Sequence, residues 1–131
     1  MIEIILAIFQ IIGAIGIGGF WIYFFLVENK NPENTEVFLA YERSFPIPDI
    51  FWATPALLLA AIGLLTGERY GVFFSIAAGS VILFLGLLDI SFNAQNGGYK
   101  KSTSDTIMNL VINLYCVIFG ILYMVYGFIN F

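Results

Sequence analysis

Residues 49–89 read DIFWATPALLLAAIGLLTGERYGVFFSIAAGSVILFLGLLD. Between the two aspartates the only charges are Glu68 and Arg69, immediately after Gly67. Each flank approaches the ~20 apolar residues that cross a hydrocarbon core as a helix. The turn Thr66-Gly67-Glu68-Arg69 is too short for any link but a helical hairpin. Glycine also suits the left-handed position that ends many helices. Residues 49–66 and 70–89 are therefore predicted as antiparallel neighbouring transmembrane helices.

Two further apolar runs lie outside this hairpin, residues 4–27 and 107–131. Neither has the ten-residue dyad alternation of a barrel strand, so each must close its backbone hydrogen bonds as a helix. The prediction is an all-α polytopic membrane protein: an antiparallel bundle of four transmembrane helices forming a single domain over 1–131. Two long connections, 28–48 and 90–106, share one side. The first is expected to hold a short interfacial helix over residues 32–44, with Asn31 as its cap, Pro32 opening it, and Glu33 and Glu36 at its positive end. Val37, Phe38, Tyr41 and Phe45 recur at near-helical spacing, as a lid on the membrane surface requires. Pro46 and Pro48 are expected to stop that helix. Pro55 is expected to kink the second span, with Thr54 satisfying a freed carbonyl.

Composition excludes much. Sixty per cent of the 131 residues are hydrophobic and 11% charged, too little polar surface for a soluble domain of this size. The net charge of −4 leaves no basic footprint for nucleic acid. With no histidine, the chain cannot itself supply histidine-held haem, imidazole-bound zinc or a Ser-His-Asp triad. A lone Cys116 forms no internal disulfide and reads as a small apolar residue. The first run lacks a basic leader and a small-residue cleavage pattern, so it is expected to stay as a helix. Four Lys or Arg residues in the long connections (Lys30, Arg43, Lys100, Lys101) against Arg69 opposite favour a cytoplasmic side for those connections in a multi-pass cell-membrane protein.

Small residues recur at 3–4 spacing in every span, as close packing of membrane helices requires. The stripes are Ala53, Ala56, Ala60, Gly63 and Gly67; Ser75, Gly79, Gly86, Asp89 and Asn93; Asn109, Asn113, Cys116, Gly120 and Gly127; and Gln10, Ala14, Gly18 and Trp21. Glycines 16, 18 and 19 form no phosphate-binding pattern and belong to a packed helix. Trp21, Tyr23, Phe24 and Phe25 read as one interfacial belt, and Tyr123, Tyr126, Phe128 and Phe131 as the other.

Spans two to four end their stripes in polar groups on the side of the long connections. Asp49, Asp89, Asn93, Asn109 and Asn113 are thus expected to converge on one polar layer, beneath a lid carrying Tyr41, Glu42 and Arg43. Asp49 in a first helical turn is favoured by about 0.3–1 kcal/mol without any function. Asp89, read as lying at a helix C-terminus, opposes the macrodipole and needs Asn109, Asn113 or Arg43 as a partner. The asparagines otherwise serve as links between helices.

Phe45-Pro46, followed by the run from Ala56 to Gly67, resembles the DoxX-like group of small membrane proteins. The resemblance implies the four-helix architecture only. Some members carry a glutamate in the second span where this chain is apolar, so no shared chemistry is implied.

No nucleophile–base pair and no metal site is assigned, and no cofactor is named. The expected function is binding of a lipid or quinone-like amphiphile, or an accessory role in assembly, with a second copy or a membrane complex as partner. The alternatives are a membrane enzyme using Asp49 and Asp89, a purely structural subunit, or a channel or transporter subunit formed by oligomerisation.

Overall fold

A computed structural model describes all residues, 1–131. The chain is all-helical, with four helices long and apolar enough to cross a membrane. The order is α1 (Ile2–Leu26), a 3-10 turn (Glu28–Lys30), α2 (Glu36–Glu42), α3 (Pro46–Pro48), a π-helical turn (Asp49–Ala53), α4 (Thr54–Thr66), α5 (Arg69–Asn96) and α6 (Thr103–Asn130). Two compact units divide it, residues 1–71 and 72–131.

In the first unit α1 packs along α4. Their small residues are buried: Ala7 and Ala14 on α1, and Ala53, Ala56 and Ala60 leading into and along α4. Gly67 closes α4 in the left-handed conformation (φ 72°), with its own N–H and that of Glu68 donating to the Gly63 carbonyl. That double bond satisfies a carbonyl the helix end would otherwise orphan. The chain then turns so tightly that the Gly63 and Gly71 backbones touch, which a side chain at either position would prevent. Gly67 itself is exposed, so the buried stripe ends at Gly63.

The interfacial helix is shorter than its sequence suggests. It begins at Glu36, capped by the Thr35 hydroxyl accepting from the Phe38 N–H at 3.1 Å, not by Asn31 and Pro32. Asn31 Oδ1 instead accepts from the Glu33 N–H, and Asn34 Nδ2 donates to the Glu28 carbonyl. Asparagine here competes locally with the helix. Leu39 of α2, with Phe38 and Phe45, packs against Trp21 and Phe24. Trp21 and Phe24 are therefore core residues rather than a belt, while Tyr23 and Phe25 stay exposed.

Pro46 and Pro48 do not merely stop a helix. Pro46 occupies a first-turn position, where its missing N–H costs nothing, and the chain stays helical from there to Thr66. The consequence of Pro55 appears upstream of it as the π turn, in which the Thr54 N–H reaches back five residues to the Asp49 carbonyl. Thr54 does not repair a carbonyl as expected; its Oγ1 has no hydrogen-bond partner.

The second unit is a hairpin of α5 and α6. Small residues set the approach: a Cβ on Gly79 would lie 2.6 Å from the Gly120 carbonyl oxygen, and one on Gly86 would lie 2.7 Å from Cys116 Cβ. The connection expected over 90–106 shrinks to residues 97–102, because α5 continues past Asp89 to Asn96. It ends on Gly97 (φ 73°), with the Gly98 N–H donating to the Asn93 carbonyl, the same motif as at Gly67. Ser102 caps α6: its Oγ accepts from the Asp105 N–H at 3.2 Å and donates to the Asp105 carboxylate. Tyr123, expected in a belt, is fully buried and its hydroxyl lies 2.8 Å from that of Tyr115.

Candidate functional site

In the first unit the π turn presents Asp49 to α1. Trp21 Nε1 donates to Asp49 Oδ2 at 2.8 Å, across 28 residues of sequence. An acid that helix-end electrostatics alone would tolerate thus has a specific partner on another helix. The indole is packed against two rings of its own helix: Phe20 and Phe24 meet it edge-on, with centroids 4.9 and 5.3 Å away. Leu39 of α2 closes the cluster from above. Tyr41 packs edge-on to Phe45 at 4.8 Å, tying α2 to the segment that leads into the span. Glu42 is buried at the end of α2, as is Glu28 in the 3-10 turn. The Arg43 side chain is exposed, and its Nε donates to Asn29 Oδ1 at 2.8 Å, which joins the lid to the end of the first span.

In the second unit Asp89 sits about two turns inside α5, not at its end, so the helix dipole offers no argument about it. Asn113 Nδ2 donates to Asp89 Oδ2 at 2.6 Å, linking α6 to α5. The Tyr99 hydroxyl donates to Asn113 Oδ1 at 2.5 Å, so one buried amide bridges a phenol and a carboxylate. Asn93 and Asn109 do not join this chain. Asn93 Nδ2 donates to the Asp89 backbone carbonyl, and Asn109 Nδ2 to the Gly98 carbonyl, where it pins the connection. Thr106 Oγ1 pins it again at the Tyr99 carbonyl. Burial pushes the Tyr99 phenol above its ordinary pKa, and the negative charge of Asp89 pushes it further.

The two groups differ chemically. Tyr99–Asn113–Asp89 is a fixed ladder of donors and acceptors; an amide in the middle passes on no proton, so the ladder orders the connection. The Trp21–Asp49 pair lies under an amphipathic cover, beside a helical turn whose own bonding is irregular. No three acidic or cysteine side chains gather at metal-binding distance. Sequence periodicity located Asp49, Asp89 and Asn113. It missed Tyr99, which stands in a connection where no period applies; Trp21 it set on the packing stripe of the first span, while the aromatic cluster read as a belt.

Compared with known protein families, curated proteins and solved structures, the chain has no significant match.

Proposed function

We propose that the protein binds a lipid or quinone-like amphiphile at the covered face of its first unit, as an accessory or assembly protein of the membrane rather than a catalyst. The observation that carries this reading is the Trp21–Asp49 hydrogen bond beneath α2. A carboxylate held by an indole offers an acceptor for a headgroup, while Phe20, Phe24 and Leu39 supply apolar walls for a chain. Few, well-placed polar groups in an apolar wall are the usual composition of a small-molecule site. The short α2, held by the cap at Thr35 and by Arg43–Asn29, is a cover that can lift without unfolding a span.

The test is retention of amphiphile through purification. Wild-type protein extracted in mild detergent should carry a bound amphiphile visible by native mass spectrometry. Asp49→Ala should weaken the affinity about tenfold, which corresponds to about 1.4 kcal/mol, and so lower the retained occupancy. Equal occupancy in the two proteins would remove the proposal.

The same reading places the protein in the cell membrane with the connections bearing Lys30, Arg43, Lys100 and Lys101 in the cytoplasm. Cysteines introduced at Asn34 and Glu68 in a Cys116→Ser background should label from opposite sides, Asn34 from the cytoplasm. Labelling of both from one side would refute the topology.

A further inference from the structure

We infer that the π turn at residues 49–53 is a subsite for a hydroxyl group, supplied by the headgroup of the amphiphile. Two groups of that turn lack an ordinary partner, the Ile50 carbonyl on the main chain and the Thr54 hydroxyl on its side chain. In the π turn the Thr54 N–H is committed to the Asp49 carbonyl. The next donor along, at residue 55, does not exist because Pro55 has no N–H. The Ile50 carbonyl therefore has no main-chain donor at either the fourth or the fifth residue on. A threonine at the fourth residue ordinarily closes such a gap by donating its own hydroxyl back to the carbonyl. Thr66 does this at the other end of the same helix, donating to the Ile62 carbonyl at 2.8 Å, and Ser44 does so to the Ala40 carbonyl at 3.0 Å. Thr54 does not. Its Oγ1 is buried and meets no partner in the chain.

The extra residue in the π turn accounts for the difference, because it shifts position 54 out of α-helical register with position 50. What remains is a carbonyl needing a donor and a buried hydroxyl needing any partner. A hydroxyl satisfies both together, donating to Ile50 O and accepting from Thr54 Oγ1. A buried hydroxyl without a partner is costly to the fold, and occupancy recovers that cost. Ile50, Phe51 and Trp52 are themselves exposed, with Phe51 at 73%, so this turn borders the lipid at the end where the span enters. Trp52 is of the type enriched at the headgroup region, where its amphipathic ring anchors a span. A lipid hydroxyl is thus the occupant the surroundings favour over water.

The inference rests on the reading of the covered face as an amphiphile site, and the experiment separates the two. The probes are a diacylglycerol with a free hydroxyl and its methyl ether, titrated into wild type, Thr54→Val, Thr54→Ser and Asp49→Ala, with binding followed by Trp21 emission in a Trp52→Phe background. Wild type should bind the free hydroxyl about five- to tenfold more tightly than the ether. Thr54→Val should lose that preference and Thr54→Ser should keep it. If Asp49→Ala weakens both probes but wild type binds them equally, the hydroxyl subsite is wrong and the amphiphile site stands. Equal binding, with Thr54→Val costing only thermal stability, identifies a water in the gap and likewise overturns the subsite. Absence of saturable binding by either probe overturns both.

Discussion

Trp21 illustrates how a single residue changes meaning between sequence and structure. As one of four aromatics near a span end it reads as an interfacial anchor, yet it is 4% exposed and donates to Asp49. The spacing along α1 sets it on the stripe of Gln10, Ala14 and Gly18, unlike Tyr23 or Phe25, but does not name its partner, which lies 28 residues away. Trp21→Phe removes the donor together with part of the buried ring, so it should destabilise the protein by at least about 1–3 kcal/mol, the range for leaving a buried hydrogen-bond partner unsatisfied. Thermal unfolding in detergent checks this, and no loss would mean the bond contributes nothing. Tyr99 gives a test by titration. Its folded pKa is raised by burial and then by Asp89, above the ordinary value of about 10. The neutral phenol's contribution to stability is therefore complete below about pH 10 and is lost as pH rises through the higher folded value. Asp89→Asn removes the smaller cause and leaves the larger. Ultraviolet difference titration, each protein read against its Tyr99→Phe counterpart, should place the phenol lower in Asp89→Asn than in wild type but still above ordinary. An unchanged midpoint would contradict the charge coupling.

At the scale of elements, the number of spans was legible because about 20 uncharged residues in a row admit few structures in a membrane. Their ends were not. Asp89 looks like a terminus because charge usually leaves the bilayer, but Asn113 meets its carboxylate and α5 continues to the glycine at 97. The stops were written instead in Gly97 and in Ser102 followed by Asp105, local signals that an argument from hydropathy passes over. The small-residue stripes were legible in the interior, at Ala53, Ala56, Ala60, Gly79 and Gly120, and misleading at Gly18, which is exposed and where an added Cβ would meet nothing within 4 Å. Gly79→Leu should destabilise the α5–α6 hairpin by about 1–3 kcal/mol, because its Cβ alone would lie 2.6 Å from the Gly120 carbonyl oxygen. Gly18→Leu is the control, and its melting temperature should change far less. Comparable losses at both sites would show that the stripe does not mark the interface. Ser102→Ala should cost about 1 kcal/mol through the cap it removes.

For the molecule as a whole, four apolar helices fit a multi-pass membrane protein, and each unit carries its own polar centre. The sequence supplied Asp49, Asp89 and Asn113, with Asn113 among the partners expected for Asp89, but neither Trp21 as the partner of Asp49 nor Tyr99 as that of Asn113, since those bonds depend on packing that periodicity does not encode. Nor did it foresee the π turn, which arises from Pro55 acting on the turn before it. The proposed function requires an amphiphile held at the Trp21–Asp49 pair beneath α2. Quenching of Trp21 emission by a brominated fatty alcohol, in Trp52→Phe protein held in mild detergent, reports on that place most directly. The expected result is saturable quenching whose midpoint moves about tenfold to weaker binding in Asp49→Ala. Quenching that rises without saturation, and equally in both proteins, would contradict it.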